Sequence, residues 1–127
     1  MTTLAGTPAK RSEALLKEAD ILVISLNSLD WLLRQKHGAD GIIIDELSKA
    51  SGKQAKGLKS KKLAGCLKWR CGMTATPCSQ NFELLYGMLR IIDKGKTLGT
   101  NKSTYLNKYF YSDYMGYNWT IRDGADV

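Results

Sequence analysis

An apolar run that ends in two adjacent carboxylates constrains the fold of this chain more than any other feature. Residues 41–46 read Gly-Ile-Ile-Ile-Asp-Glu, so three isoleucines in succession precede Asp45 and Glu46. Such a run predicts a strand that is buried on both faces, as in a parallel sheet. Ligands of open α/β sheets bind at the carboxyl ends of the strands, where this acid pair falls. The alternative is that Asp45 only caps a following helix.

Helical and extended patterns alternate along the rest of the chain. Helices are predicted near 8–19 and at Ser28–Lys36, near 53–64, and at Asn81–Ile92 and Lys102–Phe110. Strands are predicted at Ile21–Ser25, Gly41–Ile44, Leu67–Met73 and Tyr117–Ile121. This alternation predicts an α/β layer fold with a parallel sheet. The 127 residues are enough for one domain, 1–127, with a core of its own.

A second motif, Gly-Met-Thr-Ala-Thr-Pro at 72–77, follows the acid pair by one predicted helix and one predicted strand. The hydroxyls of Thr74 and Thr76 are placed to reach the acid pair or the backbone, and Pro77 ends the strand. An ordinary strand-to-helix turn is the alternative for this motif alone. In this order and at this spacing, the two motifs together are more specific than either by itself.

Positive charge is concentrated in one segment of a chain whose net charge is +7. Residues 49–68 contain no acid and seven lysines: Lys49, Lys53, Lys56, Lys59, Lys61, Lys62 and Lys68. A stripe of this kind can contact nucleic-acid phosphates, and we predict that role for the first six of these lysines. A solvated helix face is the alternative.

Further sequence features bear on metal sites, disulfides and membrane segments. They are the cysteines, the single histidine and the hydropathy. Cys66, Cys71 and Cys78 fit neither a zinc pattern nor a disulfide framework, so we expect reduced, partly buried thiols. His37 is expected in a surface loop. No apolar run approaches the ~18–20 residues of a membrane span, and residues 1–20 lack the apolar core of a signal peptide. We expect a soluble, cytoplasmic protein that does not contact membranes.

These motifs together resemble part of the first RecA-like lobe of Swi/Snf-type helicase-like ATPases of superfamily two, particularly those encoded by bacteriophages. The resemblance extends over nearly the whole chain. The matching stretches are Gly6–Arg11, Ala19–Ser25, Ile44–Ser48, Cys71–Pro77 and Asp93–Gly99, followed by Tyr105, Tyr109, Phe110, Trp119, Gly124 and Ala125. The resemblance implies a truncated RecA-like three-layer α/β fold with a small, mostly parallel sheet.

The resemblance also implies roles for the motif residues. Asp45 would hold a magnesium ion, and Glu46 would polarise the water that attacks the γ-phosphate. Thr74 and Thr76 would belong to the coupling motif. The family also uses a G-x-x-x-x-G-K-[ST] phosphate loop, which this sequence lacks. We therefore expect no activity and no cofactor for the chain alone, and Mg-ATP only where a partner supplies that loop.

The partners implied are DNA and a protein or a second copy of the chain. In the family, the coupling-motif strand lies beside the phosphate-loop strand, so residues 68–73 are predicted to form an open sheet edge that another chain can extend. We consider three functions: a module that binds nucleic acid or a motor complex, an anti-CRISPR-type inhibitor of a host complex acting in the host-cell cytoplasm, and a split subunit of a DNA-dependent ATPase. A simple basic domain that uses the lysines and the tyrosines near 105–117 is a further alternative.

Overall fold

A computed structural model describes residues 1–50, 53–77 and 82–124, with the backbone alone for residues 53–55. It divides the chain into two compact units. One comprises Met1–Ile42 and Gly52–Trp69, and the other comprises Ile43–Ser51 and Arg70–Val127. Each unit has buried apolar residues of its own. The single domain predicted for residues 1–127 stays a prediction.

Six strands and six α-helices make up most of the regular structure in the described residues. In chain order, the strands are β1 (Thr2–Leu4), β2 (Leu22–Ile24), β3 (Gly41–Ile44), β4 (Trp69–Gly72), β5 (Phe110–Ser112) and β6 (Trp119–Ile121). The helices are α1 (Pro8–Leu15), α2 (Leu29–Leu33), α3 (Leu47–Ala50), α4 (Lys61–Ala64), α5 (Phe82–Asp93) and α6 (Lys102–Tyr109). Two 3₁₀ segments span Leu26–Ser28 and Lys53–Lys59. The protein is therefore a mixed α/β chain, as the alternating pattern predicts.

The strands form three separate pairs within the described residues, whereas the sequence predicts one small sheet. β1 and β2 run parallel, and β5 and β6 run antiparallel. β3 pairs with β4. The Lys68 N–H donates to the Asp40 carbonyl, and the Met73 N–H donates to the Ile44 carbonyl, so these two strands also run in the same direction.

The strands are less deeply buried than their apolar sequences predict. Ile44 is buried, but Ile43 is 61% exposed, so β3 is not covered on both faces. Val23 in β2 is also exposed. The reason lies in the sheets themselves, since a two-stranded pair gives each strand one neighbour and leaves more of its surface to solvent.

Helix α1 begins where the sequence predicts. The Thr7 hydroxyl accepts the Lys10 N–H at 3.4 Å, and Pro8 occupies the first turn, where its missing N–H has no helical partner. The helix ends at Leu15, before the predicted end near residue 19. Leu16, which follows the last helical residue, is 87% exposed.

The predicted basic helix over residues 53–64 is divided into two short pieces. The 3₁₀ segment ends at Lys59, and Ser60 caps α4 by accepting the Leu63 N–H at 3.3 Å. A serine in this position competes for backbone hydrogen bonds, so it starts a new helix instead of continuing the preceding one.

Contacts with α2 fix the 3₁₀ segment to the first unit. The Gly57 N–H donates to Oδ1 of Asp30 at 2.9 Å, and Leu58 is only 1% exposed. A Cβ atom on Gly57 would lie 2.7 Å from that Asp30 oxygen and 2.8 Å from Cδ1 of Leu33. Glycine is therefore required for the segment to approach α2 this closely.

Aromatic packing organises the second unit. The buried cluster consists of Tyr86, Tyr105, Leu106 and Phe110. The rings of Tyr86 and Tyr105 stack with centroids 5.2 Å apart, and the Tyr105 hydroxyl donates to the Phe82 carbonyl at 2.8 Å. These contacts connect α5 to α6 and to the hairpin that begins at Phe110.

We predict that Gly57→Ala destabilises the first unit. The added methyl group lacks space between Asp30 and Leu33. The free energy of unfolding should fall by about 1–3 kcal/mol, as for other overpacked sites. Urea unfolding followed by circular dichroism measures this change.

The neighbouring variant Lys56→Ala provides the control. Lys56 is exposed, so its truncation should change the free energy of unfolding by no more than about 0.5 kcal/mol. Equal stability of the two variants would contradict the close packing of Gly57.

Candidate functional site

One residue, Met73, joins the two sequence motifs in space. Its N–H donates to the Ile44 carbonyl at 2.9 Å, and its carbonyl accepts the Leu47 N–H at 2.8 Å. These partners stand immediately before and after Asp45 and Glu46 in the chain. The structure therefore brings the acid pair and the start of the Thr-Ala-Thr-Pro turn to the same end of the β3–β4 pair.

The glycine of the second motif permits this approach. A Cβ atom on Gly72 would lie 2.5 Å from Cδ2 of Leu47 and 2.9 Å from Cδ1 of Ile92. Contacts this short do not occur, so only glycine allows β4 to pack against α3 and α5 without displacing them. Gly72 therefore positions the motif through packing.

Glu46 is held in an unusual backbone conformation by its surroundings. Its φ is 51°, in the left-handed region that disfavours residues with a Cβ. Its N–H donates to Oδ1 of Asp45 at 3.0 Å, and its carboxylate pairs with the ammonium of Lys49. All three side chains are exposed.

The Glu46–Lys49 pair affects two predicted roles, the activation of water by Glu46 and the phosphate contact by Lys49. The hydrogen bond to Glu46, followed by the charge of that carboxylate, raises the pKa of Lys49. Lys49 thus lies against the carboxylate that would polarise the attacking water, in an exposed pair that solvent screens. It is correspondingly less available to a nucleic-acid phosphate than a lysine without an acidic partner.

Thr74 and Thr76 form their own turn. The Thr76 N–H donates to Oγ1 of Thr74 at 3.3 Å, which is the local side-chain-to-backbone bond typical of threonine in turns. Thr74 is half-buried beside the acid pair, whereas Thr76 is exposed. This hydrogen bond gives the Thr74 hydroxyl a structural role in the turn.

Asp45 is the residue to which the resemblance assigns magnesium. Within residues 1–50, 53–77 and 82–124, no group of three or more His, Cys, Asp or Glu side chains is arranged to hold a metal ion. Magnesium in nucleotide sites commonly takes one or two carboxylates and completes its shell with phosphates and water. The exposed Asp45 carboxylate fits the protein share of such a shell.

The basic segment presents its lysines to solvent in the first unit. Lys56, Lys61 and Lys62 are exposed, and Lys59 is half-buried. The side chain of Lys53 lies outside the described part of the structure. The two salt bridges found among the described residues, Lys49–Glu46 and Lys102–Glu83, involve none of these three exposed lysines, nor Lys68, which is also exposed.

Residues 68–73, for which an open sheet edge is predicted, contain β4. Among the described strands, β4 pairs with β3 alone. Trp69 is 51% exposed, Met73 is 49% exposed, and Cys71 is also exposed. The ring of Trp69 covers Gly41, where a Cβ atom would overlap it.

Cys66 and His37 meet in the first unit, although the sequence gives no sign of this contact. Both described thiols, Cys66 and Cys71, are exposed, so the prediction of partial burial is wrong for them. Cys78 lies outside the described residues. Cys66 Sγ is 3.7 Å from Nε2 of His37, whose Nδ1 accepts the Ala39 N–H at 3.1 Å.

This contact does not make a nucleophilic pair. Burial lowers the pKa of His37, which favours the neutral imidazole. Because Nδ1 accepts a hydrogen bond, the proton of the neutral ring resides on Nε2 and points toward the sulfur. The histidine is therefore in the wrong tautomer to remove a proton from the Cys66 thiol.

The tyrosines near 105–117 divide into two groups that the sequence does not separate. Tyr105 is 1% exposed and belongs to the core. Tyr111, Tyr114 and Tyr117 are 59%, 102% and 80% exposed, respectively. They belong to the β5–β6 hairpin, whose first strand is only three residues long and was not predicted.

Comparison with protein-family models, with curated proteins and with solved structures finds no match for this chain. In the described part of the chain, no helix has the length and apolar character needed to cross a membrane.

We predict an inverted order of stability for two substitutions of Glu46. Both Glu46→Gly and Glu46→Ala remove the pair with Lys49, but only glycine adopts a φ of 51° without a Cβ penalty. The glycine variant should be more stable than the alanine variant by about 1 kcal/mol. Chemical unfolding of the two proteins measures the difference.

Glu13 supplies the matched control, because it is exposed and lies within α1. There the order should be the normal one, with alanine more stable than glycine by about 1 kcal/mol. If alanine is the more stable residue at both positions, the left-handed conformation of Glu46 is wrong.

Proposed function

We propose that the chain is a nucleic-acid-binding module descended from the first RecA-like lobe of a phage-type Swi/Snf superfamily-two helicase, and that it does not hydrolyse ATP by itself. One observation carries the proposal, namely that Lys56, Lys61, Lys62 and Lys68 are exposed within the acid-free stretch 53–68. That stretch holds six lysines and no acid, in a chain whose net charge is +7. Clustered cations of this density bind phosphates by releasing the counterions that surround them.

The way the basic segment is anchored favours a role in binding nucleic acid over the alternative of a solvated helix face. Asp30 accepts the Gly57 N–H, and Leu58 is buried, so the backbone that carries Lys56 is fixed to α2. A fixed backbone lowers the entropy lost when the lysines meet a phosphate chain.

The surroundings of Asp45 and Glu46 support the proposal that the chain does not hydrolyse ATP by itself. Glu46 is paired with Lys49, and the hydroxyl of Thr74 is bonded within its own turn. The sequence also has no phosphate loop to hold the triphosphate. In this proposal the acid pair takes no part in hydrolysis, and the lysines contact the ligand.

The test is the salt dependence of DNA binding by Lys56→Gln/Lys61→Gln/Lys62→Gln. Each lysine that contacts a phosphate adds close to one unit to the slope of log K against log salt concentration. The triple variant should therefore lose about three units of slope, with a large drop in affinity at low salt. Fluorescence anisotropy with a labelled duplex, measured at several salt concentrations, gives both quantities.

The matched control neutralises three exposed lysines outside the segment, Lys10, Lys17 and Lys36, and so produces the same change in net charge. This variant should keep most of the wild-type slope. If the two triple variants lose equal amounts of slope, binding reflects overall charge, and residues 53–68 are not a site.

The second candidate function is a split ATPase, favoured by the two hydrogen bonds of Met73 that bring the acid pair beside the coupling motif. In this alternative a partner chain supplies the phosphate loop, Asp45 ligates magnesium, and Glu46 leaves Lys49 to orient water. The predicted open edge of β4 is the surface on which such a partner, or a second copy, could add a strand.

Glu46→Gln separates the two functions. In a binding module it should not weaken DNA binding, and any change should be a gain in affinity, because Lys49 is released from its pair with Glu46. In a split ATPase, it should abolish the hydrolysis that appears when the chain is mixed with its partner, while assembly of the two chains persists. Hydrolysis is measured by release of inorganic phosphate.

A further inference from the structure

The β5–β6 hairpin exposes an unusual amount of aromatic surface. Tyr111 is 59% exposed, Tyr114 is 102% exposed, and Tyr117 is 80% exposed. Met115 in the same loop is 67% exposed. Four large side chains within seven residues contribute little to the core, so their exposure points to a ligand.

The loop that carries these rings is held in one conformation. The Asp113 N–H donates to the Asn118 carbonyl at 2.9 Å, and the Gly116 N–H donates to the Asp113 carbonyl at 3.0 Å. The Asp113 carboxylate accepts the Asn118 side-chain amide at 2.6 Å and the Tyr117 N–H at 2.9 Å. The rings are therefore presented by a closed turn.

The single acid of this region faces its own loop. The hydrogen bond from the Asn118 side chain, and then those from the backbone N–H groups of Tyr117 and Gly116, lower the pKa of Asp113. Its charge is thus stabilised by the turn that it closes. It does not need a cation supplied by a ligand or by another side chain.

Two cations lie against aromatic rings in this part of the chain. The Arg122 guanidinium lies 4.6 Å from the centroid of the Tyr111 ring, and Lys108 lies 4.9 Å from that of Tyr109. Arg122 is fixed in place because it donates to the carbonyls of Phe110 and Asn107 at 3.0 and 2.8 Å.

We propose that the hairpin is a stacking platform for single-stranded nucleic acid, with Tyr111, Tyr114 and Tyr117 contacting bases and the adjacent cations contacting the backbone. Aromatic rings combined with a positive field match a ligand that has both unstacked bases and phosphates. A duplex offers the phosphates but keeps its bases stacked.

This inference shares with the proposed function the premise that nucleic acid is the ligand, but it concerns a different surface, in the second unit. The lysines of residues 53–68 would bind through phosphates alone, whatever the state of the bases. The tyrosines would bind only where bases are free. The two surfaces can therefore fail independently of each other.

The experiment compares two triple variants of the full chain. Tyr111→Leu/Tyr114→Leu/Tyr117→Leu keeps apolar bulk without aromatic faces, and Tyr111→Phe/Tyr114→Phe/Tyr117→Phe keeps the rings. Each is titrated by fluorescence anisotropy against a labelled single-stranded oligonucleotide and against an abasic strand of the same length. The abasic strand keeps every phosphate and removes the bases. Thermal unfolding confirms that both variants are folded, as expected for exposed positions.

The leucine variant should bind the normal strand about tenfold more weakly than wild type, or weaker still, and the phenylalanine variant should bind it within about twofold of wild type. Wild type and the leucine variant should bind the abasic strand equally. The salt slope should be the same for all three proteins, because no cation has been removed.

Two outcomes would overturn the inference. One is equal binding of the normal strand by wild type and the leucine variant. The other is an equal loss on the normal and abasic strands, which would mean that bases are not contacted. Neither result tests the proposal for the lysines of residues 53–68, because that proposal is tested by the salt slope of the lysine triple variant.

Discussion

Two hydrogen bonds made by one residue place the acid pair beside the Thr-Ala-Thr-Pro turn in the second unit. Met73 bonds through its N–H to Ile44 and through its carbonyl to Leu47, and so connects the end of β4 to both sides of the acid pair. Gly72 makes this possible, because any side chain there would meet Leu47. The left-handed Glu46 is the consequence, since the chain must reverse within two residues to satisfy both bonds. Such strain persists only where surrounding contacts over-determine it.

The lysine surface and the acid pair lie in different units of the chain. The acid pair and Thr74 lie in the second unit, where Glu46 and Thr74 are engaged by neighbours. The lysine surface lies in the first unit, where the Asp30–Gly57 hydrogen bond and buried Leu58 hold its backbone. Under the proposed function, the lysine surface therefore works without any contribution from the acid pair.

Local sequence signals predict local structure well here. A helix begins at Pro8, residues 41–44 form a strand, and α2 lies within the helix predicted at Ser28–Lys36. The sequence does not predict the contacts between residues that lie far apart along the chain. Asp30 and Gly57 are 27 positions apart, and nothing in the periodicity of either segment indicates their bond. The exposure of Ile43 follows from the number of strands beside β3, which an apolar run does not encode. Strands of three residues, such as β1 and β5, are too short to produce a recognisable alternation.

The central claim is that the chain binds nucleic acid without using a nucleotide. The most direct measurement is the dissociation constant of the purified chain for DNA, determined with and without Mg-ATP at one salt concentration. The account predicts the same value in both conditions, because the sequence has no phosphate loop and Glu46 is paired with Lys49. A tenfold or larger change on addition of Mg-ATP would contradict it, since that result requires a nucleotide site that is complete within this chain.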